Sequence, residues 1–71
     1  MEDIAINTTV IHLDQLLKWA GIAQSGGQVK SMVEAGIIEL NNVIVTERRK
    51  KVYPGDIIAI EGLGKWQVTA E

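Results

Sequence analysis

Ile4, Ile6, Thr8 and Val10 fall on alternate positions near the front of the chain. That period of two predicts a strand over residues 4–10. From Leu13 the period lengthens, and Leu13, Leu16, Leu17 and Ala20 line one stripe of a helix. Asp14 lies in its first turn, where a negative charge complements the helix dipole. Gly21 supplies a stop. Trp19 sits at the flank of the stripe and is expected to be half-buried. Ser25 opens a second helix, and Gln28 three positions on completes a Ser-x-x-Gln capping box. That helix turns Val29, Met32 and Val33 inward, carries Lys30 on its outer side, and stops at Gly36.

Beyond Gly36 the alternation returns. Ile38 and Leu40 flank Glu39, Asn41-Asn42 tolerates positive φ, and Val43 and Val45 resume. This predicts a hairpin with a tight turn. Tyr53-Pro54-Gly55-Asp56 reads as a type I or II turn, followed by a buried strand through Ile57, Ile58, Ala59 and Ile60. Gly62-Leu63-Gly64 turns the chain again, and residues 65–69 alternate as a last strand. Neither helix is long enough to persist alone in water. Both must dock on the strands, which predicts an α+β fold: two short helices packed on a small, mostly antiparallel sheet.

Composition narrows this further. A chain of 71 residues without repeats or linkers is expected to be a single domain, 1–71. It has no cysteine, so neither disulfides nor thiolate metal sites are available, and 46% hydrophobic residues must supply the core. Ile and Val dominate and Phe is absent, a bias toward strands. No apolar run reaches membrane-spanning length. The acidic Met1-Glu2-Asp3 argues against a secretory signal, so a cytoplasmic location is expected.

The formal net charge of −2 disfavours strong nonspecific binding to nucleic acid. Its distribution points the other way, because Arg48, Arg49, Lys50 and Lys51 are consecutive among only seven Lys and Arg. Such a run is either solvated surface or a grip for phosphate, which would relieve its self-repulsion. Ser25-Gly26-Gly27 likewise has two readings. It caps a helix, or its outward N–H groups receive an anion that glycine lets approach closely. No Gly-Lys-Ser/Thr follows, so it is not a nucleotide P-loop. If Lys30 and the basic run meet phosphates, about five charges are neutralised, and for single-stranded RNA the salt slope is roughly −3.5, at about −0.7 per contact. Arginine grips phosphate bidentately and stacks on bases, which suits RNA. Trp19, Tyr53 and Trp66 are too few for a stacking platform, so recognition by shape and phosphate is expected. Catalysis has little to work with. His12 is the lone histidine, expected to serve as a cap or surface residue, and no carboxylates pair for acid–base work. No enzyme activity, cofactor or metal is expected.

Taken in order, His12-Leu13-Asp14 with Leu17, Gly21-Ile22-Ala23-Gln24-Ser25 through Lys30, Ile38-Glu39-Leu40-Asn41-Asn42, and Val52-Tyr53-Pro54-Gly55-Asp56-Ile57-Ile58 resemble the RNA-binding domain named after ribosomal protein S-four, the αL RNA-binding motif. The match spans about residues 12–61. Ser25-Gly26-Gly27 and Arg48-Arg49 look most like the small stand-alone bacterial members of the YaaA/YbcJ type. The resemblance implies binding to structured RNA, ribosomal RNA or tRNA, without catalysis, in a ribosome-associated monomer. It implies RNA contact by His12, Ser25, Gly26, Gly27, Lys30, Arg48, Arg49, Lys50 and Lys51. Three positions depart from the family pattern. His12 and Gly26 stand where arginine is frequent, which is expected to weaken affinity, and Asn42 stands for the turn glycine. The alternative is a protein–protein interaction module, drawing on the negative net charge and on Trp19 and Trp66 as anchors.

Overall fold

The computed structural model describes all residues, 1–71. Its elements are β1 (Glu2–Ile6), β2 (Ile11–His12), α1 (Leu13–Trp19), α2 (Gly26–Glu34), β3 (Ile38–Leu40), β4 (Val43–Ile44), β5 (Lys51–Val52), β6 (Ile57–Ile60) and β7 (Gly64–Ala70). Five strands form one sheet in the order β1-β7-β6-β3-β4, and β2 pairs with β5 in a separate ribbon. Within the large sheet only β1 against β7 is parallel; the other ladders are antiparallel. The α+β architecture is the one predicted.

Local chemistry ends each helix where expected. Gly21 and Gly36 take positive φ, 74° and 71°, a conformation that costs glycine little. After α1 the Gly21 N–H donates to Lys18 O and the Ile22 N–H to Leu17 O; after α2 the Gly36 N–H donates to Val33 O and the Ile37 N–H to Met32 O. Both ends are Schellman motifs. At the start of α2 the Gln28 N–H donates to Ser25 Oγ at 3.2 Å. The Gln28 Oε1 accepts from Gln24 N at 2.8 Å, one residue earlier than a standard box. Asn41 and Asn42 both adopt positive φ, 51° and 70°, as a type I′ hairpin turn requires. Asn41 also bonds Asp56 and the Ile57 N–H, locking the hairpin to the turn before β6.

The helices cover one face of the sheet. Leu13, Leu16 and Leu17 of α1 and Val29 of α2 meet Ile4, Ile6, Ile38, Ile58, Ile60 and Val68 in a single buried cluster. Met32 and Val33 pack against it half-buried. Trp66 faces the same side as Val68, half-buried, and donates from Nε1 to Glu2 Oε2 at 3.0 Å. No helix is long and apolar enough to cross a membrane.

Four details differ from the sequence reading. The first strand runs from Glu2 and stops at Ile6 rather than continuing to Val10, because its partner β7 ends at Ala70, opposite Ile6. Thr8 and Val10 are therefore exposed, and Ile11–His12 starts a new pairing with β5. Trp19 is 59% exposed, its ring held by a bond from Nε1 to Ala5 O at 2.9 Å. Ala20 is exposed, since the helix has closed before it can reach the sheet. Val45 is buried beyond the end of β4, tied by its N–H to Ile38 O at 2.9 Å, while Val43 is 67% exposed.

Ile6→Ala empties a site only 2% exposed and is expected to cost about 2–5 kcal/mol. Val43→Ala is expected to stay within about 0.5 kcal/mol of the parent. Urea midpoints of the two variants check this difference.

Candidate nucleic-acid interface

The first N–H groups of a helix need acceptors from outside it. The start of α1 has no side-chain cap: His12 holds the N-cap position with φ −78° and ψ 146°, and its ring makes no capping bond. The acceptors come instead from the basic run. The Leu13 N–H donates to Lys50 O at 2.8 Å and the Asp14 N–H to Arg48 O at 2.9 Å. The Gln15 N–H is taken by Asp14 Oδ1 at 2.9 Å. Just beyond, β2 pairs with β5, setting Ile11 opposite Val52 and His12 opposite Lys51. Val52 is fully buried and Ile11 packs against the core. This ribbon therefore has an inner apolar face and an outer one, shared by His12 and Lys51 because opposed residues point the same way.

The cations are thus joined to both helix starts. Arg49 Nη2 lies 3.3 Å from His12 Nδ1. An ideal Cβ added at Gly26 would lie 3.3 Å from Arg48 Nη1, so this guanidinium lies over the first residue of α2. Lys30 is exposed one turn further on, at the i+4 position that shares a helix side with Gly26. No side-chain hydrogen bond joins any of these cations to a carboxylate.

The two helix starts differ in what they offer an anion. At α1 the N–H groups of Leu13, Asp14 and Gln15 are occupied. At α2 the Gln28 and Val29 N–H groups are bonded to Ser25, whereas those of Gly26 and Gly27 have no acceptor in the protein. Ser25 is engaged as a cap. Lys50 borders a groove of about 500 Å³ together with Val43, Ile44 and Glu47. Of the sequence-predicted residues, His12 and Arg49 are in direct contact, and Arg48 lies close over Gly26. Lys51 and Lys30 share their sides, Ser25 and Gly27 flank Gly26, and Lys50 connects through its carbonyl.

Sequence reasoning missed Asp14 and Leu13 as main-chain anchors of the run, since backbone pairing between such distant segments leaves no residue-type signal. His12 contacts an arginine rather than a carboxylate, so Asp14 does not form with it the pair that acid–base chemistry would use. Of the two tryptophans suggested as interface anchors, Trp66 is half-buried and bonded to Glu2, which leaves Trp19 as the exposed one.

A small α+β domain with a tethered cationic loop beside two helix starts is the class this fold and surface define. The profile of the S4 domain family matches residues 4–69, and the chain belongs to that family. It is also similar to a probable ribosome maturation protein, RlbA, of Bacillus subtilis (strain 168), with 40% identity over 65 residues that make up 92% of each chain.

Ser25→Ala removes the cap of α2 and is expected to lower stability by about 1 kcal/mol. Arg48→Ala keeps the carbonyl that receives the Asp14 N–H and is expected to change stability by less than about 0.5 kcal/mol. Paired denaturation curves read both.

Proposed function

We propose that this protein is a non-catalytic RNA-binding protein that grips structured RNA through His12, Ser25, Gly26, Gly27, Lys30, Arg48, Arg49, Lys50 and Lys51. The observation that carries the reading is the double anchoring of the basic run. Its main chain is bonded to the start of α1, and Arg48 lies over the start of α2. Cations held in this way lose less freedom on binding than those of a loose loop. The open Gly26 and Gly27 amides would take a phosphate oxygen, with Arg48 and Lys30 supplying charge beside it. Asp14 is only 9% exposed and its Oδ1 accepts the Gln15 N–H, so its carboxylate does not form part of the contact surface there.

Membership of the S4 domain family, whose members generally bind RNA, supports the class of ligand. The relative named for ribosome maturation favours ribosomal RNA over tRNA, and work on ribosome assembly in the cytoplasm. With a net charge of −2 the remaining surface repels RNA, so binding is confined to one face. A second reading, docking of a partner protein, draws on Val43 and Ile44, both exposed on the edge strand β4, one on each of its faces. Partners that persist in pull-downs after ribonuclease treatment would favour it.

Filter binding to ribosomal RNA fragments across a salt series is expected to give a slope of roughly −3.5. Arg48→Ala with Arg49→Ala is expected to flatten it by about 1.4. A slope near zero, or one unchanged by the double substitution, rules the phosphate grip out. Ser25→Asp separates stability from binding. Aspartate caps a helix as well as serine, so the melting temperature is expected to hold while the added negative charge weakens RNA affinity.

A further inference from the structure

Gly26 occupies the first position of α2 with φ outside the left-handed region. Its backbone therefore does not require glycine, and glycine stabilises a helix less than alanine does. The absence of a side chain has a different consequence. A Cβ at this position would meet one neighbouring group, Arg48 Nη1 at 3.3 Å, a tight contact that the guanidinium relieves by giving a few tenths of an ångström. At the adjacent Gly27 a Cβ would meet only Ser25 Oγ, at an ordinary 3.8 Å. The two glycines are thus not equivalent: the space above Gly26 is filled by the head of an arginine more than twenty residues away in the chain. That arginine leaves its main chain from a fixed point, since its carbonyl receives the Asp14 N–H at 2.9 Å. No carboxylate holds the other end.

We infer that Gly26 is a positioning residue that sets where the Arg48 guanidinium stands, and that its effect on RNA affinity runs through Arg48. The bare Cα is the seat, the Arg48 carbonyl is the hinge, and the side chain between them crosses the start of α2. A side chain at position 26 crowds that place, by a few tenths of an ångström for a single carbon and by more for a larger group, and shifts the cation without changing the charge of the protein. The inference rests on the proposed contact between Arg48 and RNA.

A double-mutant cycle tests it. Parent, Gly26→Leu, Arg48→Ala and the combined variant are titrated with one ribosomal RNA fragment by filter binding across salt, each with a thermal melt. Gly26→Leu is expected to weaken binding about as much as Arg48→Ala. Its salt slope is expected to flatten by about 0.7, one contact's worth, although no charge has been removed. Its melting temperature is expected to be no lower than the parent's, because leucine is the better helix former. In the combined variant the second change is expected to add nothing. Gly26→Ala, whose single carbon displaces the guanidinium less, is expected to fall between parent and Gly26→Leu, and it decides the matter if the leucine variant does not fold. Parent-like binding by the position-26 variants, or losses that multiply in the combined protein, would overturn the positioning role while leaving the RNA reading intact. Parent-like binding by Arg48→Ala would overturn the positioning role together with the part given to Arg48 in the grip, and a salt slope near zero in the parent would overturn the RNA reading itself.

Discussion

Two main-chain hydrogen bonds, from Leu13 to Lys50 and from Asp14 to Arg48, hold together the parts of this protein that matter for its surface. A helix start must have acceptors, and the usual solution is a serine, threonine or aspartate at the N-cap. Position 12 is a histidine that does not cap. The requirement is met instead by carbonyls from a segment far along the chain, and the same two bonds fix the path of that segment. Helix capping and the placement of four cations are therefore one structural event. The β2–β5 ribbon extends it, burying Val52 and setting Lys51 across from His12.

This arrangement also bears on an electrostatic difficulty. Cations near a helix N-terminus face the positive end of its dipole. Carbonyls directed at the first amides of α1 place negative partial charge between that helix end and the arginines, which moderates the repulsion. No such screen stands at α2, where the Gly26 and Gly27 amides are open beneath Arg48. The open helix end and a guanidinium thus lie together at α2, in a chain whose net charge is −2.

Features written in local residue chemistry were legible in the sequence. The capping box at Ser25, the helix stops at Gly21 and Gly36, and the Asn41-Asn42 turn each follow from what those side chains do to their own backbone. The stripes of Leu13, Leu16 and Leu17 and of Val29 followed from helical period. What could not be read was pairing between distant segments. Alternation at Ile4 and Ile6 announces a strand but carries no information on its partner, so neither the parallel ladder with β7 nor the halt at Ile6 was visible. Trp19 was placed correctly on the flank of its helix, but how much of it the sheet covers depends on where β1 lies. Among the candidate site residues, sequence could name the cations and the glycines. It could not show that Arg48 and Gly26 meet, because that contact depends on a carbonyl acceptor, and every residue has one.

The departures from the family pattern take on a different meaning in this light. Histidine at position 12 and glycine at position 26, read one at a time, subtract two cations from the expected face. In space, Arg49 stands 3.3 Å from the ring of His12, and Arg48 stands over Gly26. Each position that lacks its own arginine has one delivered beside it by the basic run. The charge has changed its point of attachment rather than left the surface. An arginine rooted on a helix would be fixed by that helix, whereas these two are fixed by the loop and by whatever keeps the loop in place. In this protein the strength of the cationic face is therefore tied to the bonds at the start of α1. A change that frays those bonds would lower charge density at the face without altering a single charged residue.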